Sequence, residues 1–219
     1  MIEKIKAANR EEWLENRKNR IGGSDASILL GINPWKSNVA LFEEKIGISE
    51  PENLSNNKAV SFGSNAEKHL RELFKLEYED KYSLQYDDDD DFSMWINSKY
   101  PFAHASLDGI LTDLETGEKG VLEIKTTKVF NDYELNKWDG NIPDYYYVQC
   151  LHYMFVCNFD FAIVKARIKI ESSDDVIVRH YKFNRKSCNR DIELLIKKEE
   201  EFYQNMLERK SPDLILPEI

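Results

Sequence analysis

The sequence predicts an α/β fold in which a central mixed β-sheet is flanked by helices. Three observations predict it: helical periodicity fills the N-terminal third, short runs of alternating apolar and polar residues follow, and helices mix with strands towards the end. The chain has 219 residues, and no linker rich in proline or glycine divides it. We therefore expect a single domain over residues 1–219.

The N-terminal part, residues 9–47, is predicted to be helical. A charged amphipathic pattern covers residues 9–20, and Ser24 and Ser37 then each precede a short apolar run in the position of an N-cap. Residues 48–62 are polar, which predicts a loop.

The middle and C-terminal parts carry the sheet and its flanking helices. Ser64 is predicted to cap a helix over 64–78, whose Leu70 and Phe74 fall at helical spacing. The predicted strands cover residues 92–96, 102–111, 121–127, 161–170 and 176–183. Polar residues with a glycine at 113–120 predict a hairpin turn. The remaining predicted helices cover residues 143–157 and 187–209.

Composition excludes several classes of protein. With 42% apolar and 12% aromatic residues, the chain is not intrinsically disordered, and no stretch approaches the ~20 apolar residues of a membrane-spanning helix. A net charge of −10 excludes binding of nucleic acid through overall basicity, and the acidic run at 87–91 predicts a solvated loop. Three cysteines without a paired spacing, and no apolar signal region at the start, favour a reduced, cytoplasmic protein.

The segment that contains Glu123 and Lys125 suggests metal-dependent hydrolysis of phosphodiesters. In a strand these two side chains share one face, and Asp108 stands fifteen residues before Glu123, just across the predicted hairpin. Carboxylates bind Mg²⁺ through oxygen, and a lysine can orient the attacking water or stabilise charge in the transition state. The alternative is an exposed ion pair across strands, because the Glu-x-Lys tripeptide by itself is common.

Two further polar residues fall on faces that are expected to be buried. Glu67 belongs to the inward stripe of its helix, where a carboxylate is unusual unless it is paired or binds a metal. Gln149 and Tyr153 share one face of the helix predicted over 143–157, where the amide can hold a water or a DNA phosphate. The alternative for Glu67 is a residue at the boundary of the core whose side chain turns outward. The alternative for Gln149 is a core amide with its hydrogen bonds satisfied.

The N-terminal segment has features of an anion site. Arg17 precedes Gly22, Gly23 and Ser24, and glycines before a helix allow backbone amides to approach a phosphate. A simple turn with a helix cap is the alternative.

Trp35, in the Pro-Trp-Lys-Ser sequence, can stack on DNA or pack in the core. The four histidines lack metal-ligand spacing, and we interpret them as structural.

These segments together resemble a known family. The sequences RKNRIGGSDAS, GINPWKSNVALFEEKIG, FGSNAEKHL, SLDGIL, LEIKTT and YYYVQCLHYM occur in the order found in YqaJ-like viral recombinase nucleases. That family is similar to the exonuclease of phage lambda and belongs to the PD-(D/E)xK nuclease superfamily. The resemblance implies a restriction-endonuclease-like core at residues 62–185, after the phosphate-binding part at 9–47 and before the C-terminal helix at 187–209.

The resemblance also implies roles for individual residues. Asp108, Glu123 and Lys125 would form the catalytic triad, and the backbone carbonyl of Ile124 would join the two acids around Mg²⁺, for which Mn²⁺ can substitute. Glu67 and Gln149 would be auxiliary catalytic residues. The residues implied to hold the 5′-phosphate are Arg17, Ser24 and Ser106, with Arg17 preferred to Arg20 on its spacing to Ser24.

The implied function is a Mg²⁺-dependent 5′-to-3′ exonuclease that acts on double-stranded DNA ends and leaves 3′ single-stranded overhangs in phage-type recombination. Its expected partners are DNA ends, a single-strand annealing protein and further copies of the chain in a trimeric ring, and no membrane is expected. A monomer is the alternative to the ring. A RecB-like endonuclease or single-strand nuclease, or a non-catalytic DNA-binding module, are the alternative functions.

Overall fold

A computed structural model describes residues 1–53, 56–87 and 92–216. The strands in this part of the chain are β1 (Ile2–Lys6), β2 (Tyr82–Gln85), β3 (Ser93–Asn97), β4 (His104–Ala105), β5 (Gly109–Asp113), β6 (Lys119–Val129), β7 (Phe161–Ile170) and β8 (Val176–Asn184). The helices are α1 (Arg10–Lys18), α2 (Gly23–Leu29), α3 (Asn38–Lys45), α4 (Lys58–Glu77), α5 (Asp132–Asn136), α6 (Asp144–Val156) and α7 (Arg185–Glu208). The predicted acidic loop lies mostly outside the described residues.

The main sheet has five strands in the order β2-β5-β6-β7-β8. The hairpin of β5 and β6 is antiparallel, as predicted, and pairs Gly109 with Leu122 at its open end. Strands β6 and β7 run parallel, and the chain that connects them includes α5 and α6. Since the other pairs are antiparallel, the sheet is mixed, which confirms the predicted fold class.

A second, three-stranded sheet has the order β1-β3-β4. It contradicts one predicted strand and contains another that the sequence did not predict. The continuous strand predicted over 102–111 is wrong, because β4 pairs with β3 whereas β5 pairs with β2 and β6. The chain changes sheets at residues 106–108, and this change delivers Asp108 to the end of the hairpin. Strand β1, which pairs with β3, was not predicted from the charged N-terminal segment.

Two predicted helix caps are also wrong. Helix α4 begins six residues before Ser64, because the Asn57 side chain accepts hydrogen bonds from the backbone amides of Ala59 and Val60. Part of the loop predicted over 48–62 is therefore helical. Helix α2 begins before Ser24, with Gly22 as its N-cap. The predicted cap of α3 is confirmed, since Ser37 Oγ accepts from the amide of Ala40 at 3.2 Å.

Helices cover both faces of the main sheet. On one face, Leu70 and Phe74 of α4 belong to an apolar cluster with Leu122 and Ile124 of β6. On the other face α6 is buried almost entirely, and α7 packs against it through its apolar stripe. Within the described residues, no helix is long and apolar enough to cross a membrane. The layered packing leaves the end of the β5–β6 hairpin between α4 and α6.

Candidate active site

Strand β6 places a carboxylate and a lysine on one face. Leu122 and Ile124 face α4, so Glu123 and Lys125 face α6, as strand alternation predicts. The Nζ of Lys125 lies 2.6 Å from Oε1 of Glu123. The predicted ion pair is thus present, but it is buried beneath α6 rather than exposed on the sheet.

Asp108 reaches this pair from the start of β5. Its Oδ2 accepts a hydrogen bond from the backbone amide of Ile124 at 2.7 Å, beyond the last residue pair of the hairpin. Burial and the neighbouring Glu123 carboxylate raise the pKa of Asp108 to about 7, against the opposing effects of Lys125 and the hydrogen bond. The Glu123 carboxylate therefore opposes ionisation of Asp108 in this buried position.

Glu123 is the most deeply buried acid of the group, at 2% exposure. Its Oε1 accepts a hydrogen bond from Nε2 of Gln149 at 2.8 Å in addition to the contact with Lys125. Its Oε2 is buried, and no described residue gives it a hydrogen bond. Burial raises the pKa of Glu123, and the charge on Lys125 opposes the rise. We call Asp108, Glu123, Lys125 and Gln149 the carboxylate cluster.

The donor set of this cluster fits a hard divalent cation. It offers the carboxylates of Asp108 and Glu123, with an unpaired oxygen on the latter. The amide and the carbonyl of one strand residue face the same neighbouring strand, so the Ile124 carbonyl lies on the Asp108 side, past the end of the ladder. Mg²⁺ typically takes one or two carboxylates and completes its shell with water and phosphate. No cage of three acidic, histidine or cysteine side chains occurs among the described residues.

Glu67 approaches the cluster from α4 and raises the pKa of Glu123 through its charge. Its carboxylate forms an ion pair with Arg71, one helical turn later. Sequence reasoning missed Arg71, which is buried and lowers the pKa of Asp108 through its charge. Its guanidinium carbon lies 4.5 Å from the ring centroid of Tyr86. The spacing of four residues between Glu67 and Arg71 on one helix face is the signal that could have found it.

Gln149 connects the cluster to the N-terminal segment. Its Nε2 lies 2.9 Å from the hydroxyl of Tyr153, so the predicted pair on α6 is formed. The Tyr153 ring packs against Gly23, where an added Cβ would come within 2.6 Å of the ring. Only glycine permits this approach, and it brings the first turn of α2 against the helix that carries Gln149.

Two of the residues predicted to bind phosphate, Arg17 and Ser106, lie beside the cluster. Arg17 donates a hydrogen bond from Nη1 to Oγ of Ser106 at 3.2 Å, and Ser106 stands two residues before Asp108. The guanidinium of Arg17 also lies 4.3 Å from the Trp13 ring centroid. Arg20 instead donates to the Asn16 carbonyl at 3.2 Å. Geometry therefore favours Arg17 over Arg20.

Ser24 is exposed in the first turn of α2, and its neighbour Asp25 fixes that turn. The Asp25 carboxylate accepts from the Gly22 amide at 2.9 Å and pairs with Lys45 at 2.7 Å. Lys45 also donates to the carbonyl oxygens of Arg17 and Arg20. Sequence reasoning missed Lys45, because its partners lie at least twenty residues away and leave no local pattern.

Comparison with known proteins identifies the family of the chain. Residues 12–160 match the YqaJ-like viral recombinase domain. The chain belongs to the YqaJ-like viral recombinase family. The uncharacterized protein YqaJ of Bacillus subtilis (strain 168) is 32% identical over 209 residues, which are 94% of this chain and 59% of that protein. The chain thus spans about three fifths of the length of this YqaJ relative.

Solved structures of other proteins share the fold of this YqaJ-like chain. An alkaline exonuclease from Laribacter hongkongensis superposes with a TM-score of 0.60 at 16% identity, over 91% of this chain and 97% of the other. A phage-related exonuclease from Haemophilus somnus 129PT gives 0.55 at 13% identity, over 88% and 96%. The fold of the YqaJ-like chain is the restriction-endonuclease-like fold of phage-type exonucleases, which confirms the expectation from its motifs.

Proposed function

We propose that the protein is a Mg²⁺-dependent 5′-to-3′ exonuclease that acts on double-stranded DNA ends in phage-type recombination and leaves 3′ single-stranded overhangs. Membership of the YqaJ-like family and the fold shared with exonucleases support a nuclease that acts on DNA. The carboxylate cluster supports the Mg²⁺ requirement, whereas the polarity and the product are what the resemblance to the phage lambda exonuclease family implies.

One observation carries the proposal: the Arg17–Ser106 hydrogen bond joins the predicted phosphate site to the carboxylate cluster. Ser106 and Asp108 belong to the same short segment, so a terminal phosphate held by Arg17 would lie about one nucleotide from the acids. A charge-assisted contact to phosphate contributes about 1.5–3 kcal/mol. An enzyme that cuts inside a strand needs no terminal phosphate, so a preference for phosphorylated ends would distinguish the two activities.

Each residue of the cluster has a part in the proposed hydrolysis. Asp108, Glu123 and the Ile124 carbonyl would hold the cation, which when bound neutralises the acids and polarises the scissile phosphate. Lys125 would donate hydrogen bonds to the attacking water or to the phosphoryl oxygens as their charge grows. Gln149 holds Glu123 in place through its 2.8 Å hydrogen bond.

Glu67 completes the proposed site from the helix that faces the hairpin. Its pairing with Arg71 offsets the negative charge of the carboxylate beside Glu123. We propose that Glu67 receives a water at the edge of the cation site and orients it. Mn²⁺ is expected to substitute for Mg²⁺, because carboxylate and carbonyl oxygens suit both ions.

The proposal is tested with linear 5′-phosphorylated duplex and closed circular duplex, each incubated with Mg²⁺ or with EDTA. Loss of the linear form alone, with release of mononucleotides and only in Mg²⁺, is the expected result. Cutting of circles would instead indicate a RecB-like endonuclease. Loss of neither form would indicate a non-catalytic DNA-binding module.

The phosphate contact is tested by comparing phosphorylated with dephosphorylated ends. Wild type is expected to degrade phosphorylated ends faster, and Arg17→Ala is expected to remove the difference. Arg20→Ala is the matched control, because its guanidinium bonds to a backbone carbonyl instead of Ser106. A preference that survives in Arg17→Ala and disappears in Arg20→Ala would reassign the contact.

We further propose that the chain works as a homotrimeric ring and passes its product to a single-strand annealing protein. The net charge of −10 gives little long-range attraction for DNA, so a monomer would dissociate readily at physiological salt. A ring around the duplex would keep it bound by topology instead. Light scattering with and without DNA tests the ring, and a mass near 25.7 kDa in both conditions would rule it out.

A further inference from the structure

The loop between α2 and α3 presents an aromatic side chain that the proposed catalysis leaves unexplained. Trp35 is 71% exposed, whereas a large aromatic ring is normally buried to a considerable extent. It does not belong to either apolar cluster of the described residues. Core packing of Trp35, one of the two interpretations that the sequence allows, is therefore wrong.

The backbone holds Trp35 in this exposed position. The Asn33 side chain accepts from the backbone amides of Trp35 and Lys36 at 2.9 and 3.2 Å, and it donates to Ser27 Oγ at 3.2 Å. On the other side, Lys36 forms an ion pair with Glu44 of α3 at 2.7 Å. These contacts hold the backbone of the loop at Trp35, which lowers the entropic cost of ordering the loop when a ligand binds.

A chain of ring contacts leads from Trp35 to the carboxylate cluster. The rings of Trp35 and Tyr145 meet edge to face with centroids 5.1 Å apart, and Tyr145 meets Tyr146 in the same way at 4.5 Å. The Nζ of Lys125 lies 4.8 Å from the centroid of Tyr146. The exposed ring therefore stands at the rim of the site in which the proposed cleavage takes place.

The size and surroundings of this surface fit a nucleobase. A stable protein–protein interface buries ~1,200 Å² or more of surface. Trp35 offers only a single ring, flanked by Pro34 and the polar residues Asn33 and Lys36. An isolated ring of this kind can be covered by one planar heterocycle, and bases stack on aromatic side chains whatever their sequence. Because Tyr145 meets Trp35 at 73°, the pair forms a corner rather than a closed stack.

We propose that Trp35 and Tyr145 form a stacking site for an unpaired base of the DNA strand that enters the carboxylate cluster. This inference rests on the proposed exonuclease function and assigns it a further binding element. Bases inside a duplex are stacked on both faces, so the corner accepts only a base that has left the helical stack. Stacking on Trp35 would replace the contacts that a terminal base loses when its strand separates from the complement.

The test is binding of a short 5′-phosphorylated oligodeoxynucleotide, measured by fluorescence anisotropy in EDTA so that no strand is cut. The same oligonucleotide is made with an abasic residue at each position near its 5′ end in turn. Wild type is expected to lose affinity by about tenfold when the stacked base is missing. Trp35→Ala is expected to bind intact and abasic oligonucleotides equally weakly, and Trp35→Phe is expected to keep most of the difference.

Leu114→Ala is the matched control. Leu114 is 55% exposed at the turn of the β5–β6 hairpin, at the opposite end from Asp108, so this variant is expected to bind as wild type does. Circular dichroism of Trp35→Ala checks the fold. Equal affinity of Trp35→Ala and wild type for the intact oligonucleotide would overturn the proposal, and so would a loss that is the same for abasic and intact strands.

Cleavage measured in parallel separates this inference from the proposed function. If wild type degrades linear duplex and Trp35→Ala binds the oligonucleotide as tightly as wild type, the stacking site is refuted and the exonuclease stands. If wild type degrades no DNA in Mg²⁺, the proposed function itself fails. A change in the mass of Trp35→Ala by light scattering, with oligonucleotide affinity unchanged, would refute stacking in favour of a contact between subunits.

Discussion

Two buried charged clusters share helix α6 and differ in the balance of their charges. The carboxylate cluster sets the acids Asp108 and Glu123 against Lys125. One helical turn after Gln149, His152 shares a hydrogen bond of 2.7 Å between its Nδ1 and the carboxylate of Glu199 in α7. Its Nε2 donates to the backbone carbonyl of His104 at 2.8 Å. We call His104, His152 and Glu199 the histidine cluster.

Both clusters contain a buried carboxylate oxygen that no described residue satisfies, on Glu123 and on Glu199. An unpaired oxygen therefore does not mark the functional site by itself. The two clusters differ in composition and access: the first has two acids for one lysine, and the Lys125 side chain is 18% exposed, whereas His152 and Glu199 are one base and one acid, both fully buried. We therefore propose that a cation binds in the first cluster and that the second is structural.

The largest expected effect is on catalysis in the carboxylate cluster. Glu123→Gln removes a proposed cation ligand, so we expect cleavage of linear duplex to be abolished. The unfolding midpoint is expected to stay the same or rise, because the substitution relieves repulsion between buried acids. Glu115→Gln, an exposed acid in the hairpin turn, is the control that should leave both unchanged. Retained cleavage in Glu123→Gln would refute the assignment.

Removal of Glu199 should lower stability and leave catalysis unchanged, the opposite of what is expected for Glu123→Gln. Glu199→Ala leaves His152 buried without its partner, so we expect a loss of ~3–5 kcal/mol in the free energy of unfolding, measured with urea. Glu201→Ala breaks an exposed ion pair with Lys198 on the same helix and should cost under ~1 kcal/mol. Cleavage by the folded fraction of Glu199→Ala should match wild type, and a selective loss of catalysis would contradict a structural role.

A smaller effect on rate is expected at Lys125. Lys125→Ala should slow cleavage by ~10²–10³-fold at saturating Mg²⁺, because the negative charge that develops in the transition state loses one hydrogen-bond donor. The apparent affinity for Mg²⁺ should weaken little or improve, since an ammonium next to the acids opposes a cation. Lys128→Ala on the same strand, whose partner Glu171 is near the surface, is the control. Full activity in Lys125→Ala would place the lysine outside the reaction.

The smallest effect concerns pH and the histidine cluster. Burial lowers the pKa of His152, but the charge of Glu199 outweighs it and raises the pKa above its usual value. A raised pKa in the folded state stabilises the protein below the unfolded pKa, and this contribution is lost as pH rises through the folded value. Wild type should therefore lose stability upward from pH ~6.5. In Glu199→Gln the part of this slope that comes from His152 should disappear, whereas the part that comes from Asp108, with its folded pKa of about 7, should remain. A slope equal to that of wild type would refute the contribution of His152.

The sequence predicted the parts of the site that depend on local pattern. Strand alternation alone placed Glu123 and Lys125 on one face, and helical spacing alone paired Gln149 with Tyr153. The histidines were interpreted as structural, which agrees with the contacts of His152. These relations involve residues two or four positions apart, where backbone geometry fixes the outcome.

Non-local relations were beyond sequence reasoning. The pairing of Lys45 with Asp25 and of His152 with Glu199 joins different helices, and nothing in either segment encodes the partner. The break between β4 and β5 was missed because a run of strand-forming residues does not show which sheet each half joins. The early start of α4 was missed because Asn57 caps as well as Ser64 would.

The most direct test of the central claim is Mn²⁺ binding, measured by electron paramagnetic resonance on wild type, Glu123→Gln and Glu199→Gln. Wild type and Glu199→Gln are expected to bind Mn²⁺ with similar affinity, Mg²⁺ should displace it, and Glu123→Gln should bind it far more weakly. Equal binding by Glu123→Gln and wild type, or loss of binding in the folded Glu199→Gln protein, would contradict a cation site in the carboxylate cluster.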